Sequence, residues 1–289
     1  MYDGIINIYK EKGFTSHDVV AKLRGILRMK KIGHTGTLDP DAEGVLPVCV
    51  GKATKLCELL LEKSKTYQAT FILGLTTDTQ DISGNVLKES DVNVTREDIE
   101  KVIMSFVGGY DQIPPMYSAL KVNGKKLYEL AREGKEVERK PRRVVLDNID
   151  ILDISDDLKY ITIRVDCSKG TYIRTLCHDI GEKLGCGACM ESLLRTKVDM
   201  YELDKALKLC EVETLVKEDS LNQHIVVIED ILNNYPKVNV VKNADKLLYN
   251  GNKLNFKSVV PTNVKESVRV YDSKDNFVAL YEYDNKYNE

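Results

Sequence analysis

The sequence lacks the features that would place the protein in a membrane or in a secretory pathway. None of its apolar runs approaches the roughly 18 residues that a membrane-spanning helix requires. Residues 1–10 contain no basic segment followed by an apolar one, so we expect no signal peptide. We therefore expect a cytoplasmic protein.

A disulfide framework and a metal-binding pattern are also missing. The cysteines number seven, an odd count, and they are scattered through apolar surroundings, which favours reduced core thiols. Cys186 and Cys189 form one Cys-x-x-Cys pair, but no second pair and no His-x-His accompany it, so we interpret it as structural. No nucleotide-binding or metal-binding motif is present either.

An excess of positive charge is absent as well, although the average conceals two basic stretches. The 42 Lys and Arg residues are outnumbered by 45 Asp and Glu, and a net charge of −3 argues against a general polyanion binder. Residues 19–31 nevertheless contain five cations and no acid, and residues 121–143 contain nine cations against four Glu. Such runs are usually solvated faces, but two of them in an acidic protein also fit a defined track for nucleic-acid phosphates.

The 289 residues suffice for one large domain with a small one appended. Thr15 to Asp18 and Thr95 to Asp98 read as capping boxes, each followed by apolar residues at helical spacing. Alternating residues predict strands at 66–73, 144–154 and 160–167, and a helix is predicted at 171–184 and again at about 203–217. Strands are not joined by regular helical crossovers, so we expect an α+β fold with a mixed, largely antiparallel sheet.

Composition changes near residue 233, beyond which short β-like pieces occur at 238–241, 267–271 and 277–283. The residues between the last two, 272–276, are suited to a hairpin turn. We therefore predict a large domain over residues 1–232 and a small β-rich domain over residues 233–289.

Residues 33–47 are loop-like and contain an unusual carboxylate. Asp39 precedes Pro40, which disfavours the helical region and holds Asp39 extended. A calcium loop beginning at Asp39 would need Glu at its twelfth position, where Val50 stands, so we reject calcium binding. The glycines Gly33, Gly36 and Gly44 are costly for a plain surface turn. A carboxylate held on a rigid loop near a basic helix end favours a nucleophile or a general base, but it does not identify the reaction.

The same segment resembles a known catalytic loop. Residues 33–48 read Gly-His-Thr-Gly-Thr-Leu-Asp-Pro-Asp-Ala-Glu-Gly-Val-Leu-Pro-Val, which is similar to the catalytic loop of the TruB-type family, the tRNA pseudouridine-55 synthases. Further matches follow in family order: Lys65-Thr-Tyr67, Asp78-x-x-Asp81-x-x-Gly84, residues 114–121, residues 167–176 and Leu193-Leu-Arg195. Together they span nearly all of residues 4–197, and the C-terminal tail resembles the small PUA-like RNA-binding domain of many members.

One departure from the family pattern stands near the start of the chain. The family usually reads Lys-Pro-x-Gly where this sequence has Lys10-Glu11-Lys12-Gly13. A missing proline loosens the turn, because proline restricts the backbone.

The resemblance implies a pseudouridine synthase fold and a reaction on the T-loop uridine of tRNA without a cofactor. It implies that Asp39 is the catalytic nucleophile and that Arg174 is the positive neighbour that orients it and keeps it ionised. The remaining implied residues bind the substrate: Tyr67 stacks on the target base, Tyr172 and Leu194 line its pocket, and His34 fills the stack that the flipped base leaves. Asp39 could attack the sugar C1′, attack the base C6 or promote a glycal, and the sequence does not choose among these.

Two other functions remain open from the sequence. The chain could be a non-catalytic factor that binds tRNA and lets it refold, or a pseudouridine synthase acting on ribosomal RNA within a complex. We expect no required protein partner and a monomer, because the charge gives no reason to expect an oligomer.

Overall fold

The computed structural model describes residues 2–122, 124–261 and 266–284. Its strands are β1 (Gly4–Lys10), β2 (Ile32–His34), β3 (Glu43–Val50), β4 (Lys65–Leu73), β5 (Leu75–Thr77), β6 (Val86–Glu89), β7 (Gly108–Gln112), β8 (Lys121–Val122), β9 (Lys125–Lys126), β10 (Arg142–Ile154), β11 (Tyr160–Cys167), β12 (Ala188–Val198), β13 (Tyr201–Glu202), β14 (Ile225–Val226), β15 (Lys237–Val240), β16 (Val259–Val260), β17 (Val268–Tyr271) and β18 (Phe277–Tyr281).

The described α-helices are 4 to 12 residues long. They are α1 (Ser16–Leu27), α2 (Cys57–Leu61), α3 (Arg96–Met104), α4 (Leu127–Arg132), α5 (Ile173–Leu184), α6 (Leu209–Lys217), α7 (Ile228–Ile231) and α8 (Asp245–Tyr249). Both predicted capping boxes are present, since Thr15 and Thr95 each accept from the amide of the Asp three residues later. In the described part of the chain, no helix combines the length and the apolar character that crossing a membrane demands.

The chain divides into two compact units, Met1–Ile225 and Val226–Glu289. We predicted the division at 232/233. In the structure α7 belongs to the second unit, where the Tyr271 hydroxyl donates to the Glu229 carboxylate, and the functional boundary at 232/233 stays a prediction. Residues 262–265 and 285–289 of the predicted small domain lie outside the described residues.

The first unit is built on the mixed, largely antiparallel sheet that the sequence predicts. Its strand order is β1-β3-β12-β4-β11-β10-β7, with β2 beside β3 and β13 beside β12. The contact between β12 and β3 is parallel, and the other pairs along this order are antiparallel. This parallel contact places β12, which follows α5, beside β3, which begins within the residue 33–47 segment.

Two predictions of local structure need correction. The loop is shorter than residues 33–47, because its ends join the sheet as β2 and β3 and leave only residues 35–42 between them. Strand β3 is flanked by partners on both edges and is buried along nearly its whole length, so its apolar run shows no alternation. The helix predicted at about 203–217 is a 3₁₀ turn, Leu203–Lys205, followed by α6.

The hydrophobic core on one face of the sheet includes two residues of the loop that carries Asp39. Buried side chains of β4, β10 and β11 pack there against α3 and α5, and Leu38 and Ala42 of the loop join the same cluster. The loop is therefore anchored in the core on both sides of Asp39.

The second unit has a small sheet of its own, as the sequence predicts. Its strand order is β16-β15-β17-β18, with β15 and β17 parallel and the other two pairs antiparallel. The predicted turn lies between β17 and β18, where the Asp272 carboxylate accepts from the amides of Lys274 and Asn276. Val238, Val240 and Leu248 are among the buried residues of its core.

Two helical glycines allow a paired test of packing. Gly25 of α1 has open space where a Cβ would stand, whereas a Cβ on Gly181 of α5 would lie 2.2 Å from the amide nitrogen of Ala188. We predict that Gly25→Ala raises the free energy of unfolding by about 0.5–1 kcal/mol, since alanine loses less backbone entropy in a helix. Gly181→Ala lowers it by about 1–3 kcal/mol, because the helix must move away from β12. Urea denaturation of both variants measures the two effects, and equal stabilities would contradict the packing described.

Candidate active site

The loop that carries Asp39 is tied to the elements around it by backbone contacts. The amide of Leu38 donates to the Ser16 hydroxyl at 2.9 Å, and the amide of Gly13 donates to the Pro40 carbonyl at 2.9 Å. On the entry side, the amide of Thr35 donates to the Pro47 carbonyl at 3.1 Å. Asp39 therefore lies between two residues whose main chain is fixed, and its position does not depend on its own side chain.

Lys10 also holds the loop that carries Asp39, through hydrogen bonds to main-chain carbonyls. Its side chain is completely buried, and its ammonium donates to the carbonyls of Phe14 at 2.6 Å, Pro40 at 3.1 Å and Glu11 at 3.2 Å. Burial lowers the pKa of Lys10 to about 8, although the nearby Glu43 and Asp39 oppose that shift. Glu11 takes part through its carbonyl, which a proline would also offer, so the departure from the family pattern leaves this contact intact.

The ion pair expected between Asp39 and Arg174 is present. Arg174 Nε lies 3.1 Å from Asp39 Oδ2, and the Arg174 side chain is 6% exposed while that of Asp39 is 44% exposed. Its Nη1 lies 3.3 Å from Asp81 Oδ2 and donates to the Thr79 carbonyl at 2.9 Å, and its Nη2 donates to the Tyr117 carbonyl at 2.9 Å. The guanidinium is thus held by three other groups while it orients a carboxylate that solvent and substrate can reach.

Asp81 was part of a quoted motif, but we assigned it no role from the sequence. Its carboxylate is held in place, because its Oδ1 accepts from the Thr79 hydroxyl at 2.7 Å and from the Ser83 amide at 3.1 Å. Its second oxygen faces Arg174. Asp81 therefore supplies a second partner charge for the buried guanidinium, besides Asp39.

The N-terminus of α5 is fixed by a residue that the sequence analysis missed. Gln112, at the end of β7, is 1% exposed, and its carboxamide accepts from the Tyr172 amide at 2.8 Å and donates to the Tyr172 carbonyl at 3.0 Å. Tyr172 is the residue just before α5, two positions from Arg174. The only sequence signal for Gln112 was its place two residues before the motif at 114–121. Burial raises the pKa of the partly buried Tyr172 phenol.

Tyr67 lies in β4 on the sheet face that packs against the loop. It is 8% exposed and shares a core cluster with Leu38, Ala42 and Ile173. Burial raises the pKa of its phenol, and the neighbouring Arg195 guanidinium opposes that shift. The phenol is therefore protonated at neutral pH.

Leu194 does not face the same side of the sheet as Tyr67. In the β4–β12 pair it stands opposite Gln68, whereas its neighbour Leu193 stands opposite Ala69, and Leu193 packs against the core that contains Tyr67. Side chains alternate between the two faces along a strand, so a shift of one residue changes the face. The strand register therefore puts Leu193 on the face of Tyr67, and the role predicted for Leu194 stays a prediction.

His34 is placed at the end of β2, at the entry to the loop. Its ring lies edge-on to that of His17, with 5.1 Å between centroids, and its Nδ1 accepts from the Gly36 amide at 3.4 Å. Burial lowers the pKa of His34, and the neighbouring His17 adds to that effect. Asp39 and Arg174 are thus brought into contact, Tyr67 and Tyr172 lie on elements packed beside them, and His34 contacts a different set of residues.

The two basic stretches lie on separate elements of the first unit. Arg24, Arg28 and Lys30 line an open depression at the end of α1. The stretch 121–143 covers β8, β9 and α4, and there Glu133 pairs with both Lys125, at 3.3 Å, and Lys135, at 2.8 Å. Part of its charge is therefore neutralised within the stretch.

The cysteines and acids show no metal site where the structure can be described. All seven cysteines are free thiols, and no group of three or more His, Cys, Asp or Glu side chains in the described ranges could hold a metal ion. Burial raises the pKa of Cys189 to about 11 and also raises that of Cys186, so both thiols are protonated at neutral pH.

Comparison with known proteins agrees with this geometry. Residues 24–173 match the family model of the TruB family pseudouridylate synthase N-terminal domain, and residues 174–233 match that of the tRNA pseudouridylate synthase B C-terminal domain. The chain is 55% identical over 298 residues to a tRNA pseudouridine synthase B of Lachnoclostridium phytofermentans, covering 99% of this chain and 97% of that protein. It is 47% identical to one of Clostridium novyi, covering 96% and 94%. A solved Cbf5-Nop10-Gar1 complex contains a chain that matches with a TM-score of 0.73 and 30% identity, covering 96% of this chain and 78% of that one.

The burial of His34 predicts a dependence of stability on pH. Its pKa in the folded protein is below the ordinary value of about 6.5 that the unfolded chain has. As the pH falls through about 6.5, the unfolded chain therefore binds a proton before the folded one does, and the free energy of unfolding decreases. We expect His34→Gln to make this decrease shallower between pH 7 and pH 5 in urea titrations. Replacing the exposed His224 by Gln serves as the control, and an unchanged slope in the His34 variant would contradict the prediction.

Proposed function

The chain belongs to the TruB family of pseudouridylate synthases, and from that premise we propose that it converts a uridine of tRNA, at position 55 in the T-loop, to pseudouridine. The observation that carries the proposal is the contact of Arg174 with a half-exposed Asp39 on an anchored loop. The near full-length similarity to proteins named tRNA pseudouridine synthase B supports tRNA as the substrate.

The reaction requires a carboxylate but no change in oxidation state. The C1′–N1 bond of uridine breaks, the base turns, and a C1′–C5 bond forms while C5 loses its proton and N1 gains one. Asp39 can serve by attacking C1′, by attacking C6 or by removing a sugar proton on a glycal route, and its ionised, oriented carboxylate suits each of these. Arg174 holds that carboxylate in place and aims it at the substrate.

The remaining site residues are proposed to hold the extruded base. A uridine stacked in the T-loop has to be flipped out before a side chain can reach it. Tyr67 stacks on the base, while Tyr172 lines the pocket beside Arg174. Leu194 forms an apolar wall of the pocket, and its neighbour Leu193 lies on the face of Tyr67. His34, which is neutral in its buried setting, fills the vacated stack.

Binding of the RNA is proposed to rest on phosphate contacts from the two basic stretches, residues 19–31 and 121–143. Such contacts position the RNA, and loop shape and splayed bases provide recognition. We propose that catalysis belongs to a large domain over residues 1–232. RNA binding is assisted by a PUA-like domain over residues 233–289. We also propose that the enzyme acts on free tRNA in the cytoplasm as a monomer without a protein partner.

The alternatives are a tRNA-folding factor without catalysis and an enzyme for ribosomal RNA. The similarity to chains of a solved Cbf5-Nop10-Gar1 complex and of a solved H/ACA RNP bound to a substrate RNA is the reason to test the second alternative. Activity of the isolated chain on a T-arm hairpin, with no added guide RNA or protein, would support the tRNA proposal and contradict both alternatives.

Replacing the proposed nucleophile tests catalysis directly. We expect Asp39→Asn to form no pseudouridine at position 55 of a tRNA transcript, because an amide is neither a nucleophile nor a base of useful strength. Asp41→Asn, two residues along the same loop and exposed, is the matched control and retains activity. Pseudouridine mapping after incubation reads out both variants. A fully active Asp39→Asn protein, or an inactive wild type, would overturn the proposal.

Replacing Arg174 separates orientation from binding. Arg174→Ala leaves Asp39 and Asp81 without their shared cation, so we expect the single-turnover rate to fall by about 100-fold or more, while the tRNA dissociation constant changes much less. Arg164→Ala, on an exposed stretch of β11, is the control. Equal losses of rate and affinity would contradict the assigned role of Arg174.

A further inference from the structure

Arg195 is a buried cation that the proposed reaction does not use. It lies in β12 and is 1% exposed, which places it among the largest fully buried side chains of the described protein. Burying a guanidinium is costly unless its donors are satisfied. Within the described ranges, no carboxylate oxygen lies within 4.0 Å of its nitrogens. Arg174, in contrast, pairs with the carboxylates of Asp39 and Asp81.

The donors of Arg195 are directed at the two sides of the Asp39 loop. Its Nε donates to the Val45 carbonyl at 2.7 Å, and its Nη2 lies 3.4 Å from the Gly36 carbonyl, which it also bonds. Gly36 precedes Asp39 in the loop and Val45 follows it in β3. One planar side chain therefore bridges the entry and the exit of the loop.

The backbone around Arg195 explains two glycines that the loop motif contains. Gly44 pairs with Arg195 across the parallel β3–β12 contact, and a Cβ at Gly44 would lie 2.2 Å from the Arg195 carbonyl oxygen. Gly36 has a φ of +138°, and a Cβ there would lie 3.6 Å from Arg195 Nη1. Glycine at position 44 is required for the close approach, and glycine at position 36 suits the backbone turn beside the guanidinium.

The other neighbour of Arg195 is Tyr67. The two residues stand directly opposite each other in the antiparallel β4–β12 pair, so their side chains share one face of the sheet. A positive charge beside a phenol favours its ionised form, and the guanidinium accordingly opposes the rise that burial causes in the pKa of Tyr67.

We propose that Arg195 is a positioning residue that holds the Asp39 loop and the Tyr67 ring in one fixed arrangement, through its bonds to Gly36 and Val45 and its place opposite Tyr67. The role in turnover rests on the proposed function, whereas the anchoring of the loop does not. Arg195 touches no reacting atom in this scheme and acts through Asp39 and Tyr67.

A conservative and an apolar substitution test the proposal. Arg195→Lys keeps the charge but has a single nitrogen at the end of its chain, in place of the separate Nε and Nη2 that bond Val45 and Gly36, and Arg195→Met removes the charge at similar length. We expect the single-turnover rate of Arg195→Lys to fall by about 10- to 100-fold, with the tRNA dissociation constant within about 3-fold of wild type, as for a misplaced reacting group. Arg164→Lys and Arg164→Met, exposed on β11, are the matched controls.

Coupling to Tyr67 distinguishes positioning from a general loss of structure. If Arg195 acts through Tyr67, the rate loss of Arg195→Lys combined with Tyr67→Phe is smaller than the product of the two single losses. Folded fractions from circular dichroism correct each rate. Rates that multiply independently, or a corrected Arg195→Lys rate equal to wild type, would overturn the proposal.

Hydrogen exchange supplies a readout that needs no catalysis. In Arg195→Lys we expect the amides of Thr35 and Leu38, which bond to the Pro47 carbonyl and the Ser16 hydroxyl, to exchange faster, while those of the β4–β11 pair are unchanged. Unchanged exchange in the loop would overturn the anchoring role even if the wild type proved inactive. An active wild type with an unaffected Arg195→Lys would overturn the positioning role and leave the proposed function standing.

Discussion

A single ion pair, between Asp39 and Arg174, joins the loop after β2 to the first turn of α5, and the rest of the candidate site is arranged around it. The pair is asymmetric, because the guanidinium is buried and the carboxylate is half exposed. A buried cation with partners on all sides cannot move far, whereas an exposed carboxylate can exchange one contact for another. The Asp39 carboxylate can thus change its contacts while the Arg174 guanidinium stays in place. Asp81 and the carbonyls of Thr79 and Tyr117 provide for this, since they hold the guanidinium independently of Asp39.

The loop itself is held by backbone contacts rather than by the carboxylate. Ser16 bonds the main chain of Leu38, Lys10 bonds the carbonyl of Pro40, and Arg195 bonds the carbonyls of Gly36 and Val45. These three side chains come from α1, β1 and β12, so three elements of the first unit meet at one short segment. Main-chain carbonyls can satisfy a buried cation without adding a second carboxylate beside the reactive one.

Much of the fold was predictable because it depends on neighbours in the chain. The capping boxes at Thr15 and Thr95, the strands β4, β10 and β11, and the mixed α+β sheet follow from patterns a few residues long, and all were confirmed. The extent of the loop was not predicted correctly, because a strand buried on both faces has no alternation to distinguish it from an apolar loop end. Gln112 was missed for a related reason, since a single glutamine carries no pattern until the fold brings it against Tyr172.

The candidate site divides in the same way. The sequence by itself determined that Asp39 is held on a proline-fixed loop beside glycines, and its resemblance to a family supplied Arg174 as a partner and uridine as a target. Only the tertiary structure decided that Asp81 shares Arg174 with Asp39, that Leu193 rather than Leu194 faces Tyr67, and that Arg195 is buried against the loop. The physical reason is strand register. A displacement of one residue between β4 and β12 reverses which side chains reach the site, and the local sequence of either strand does not encode how the two are aligned.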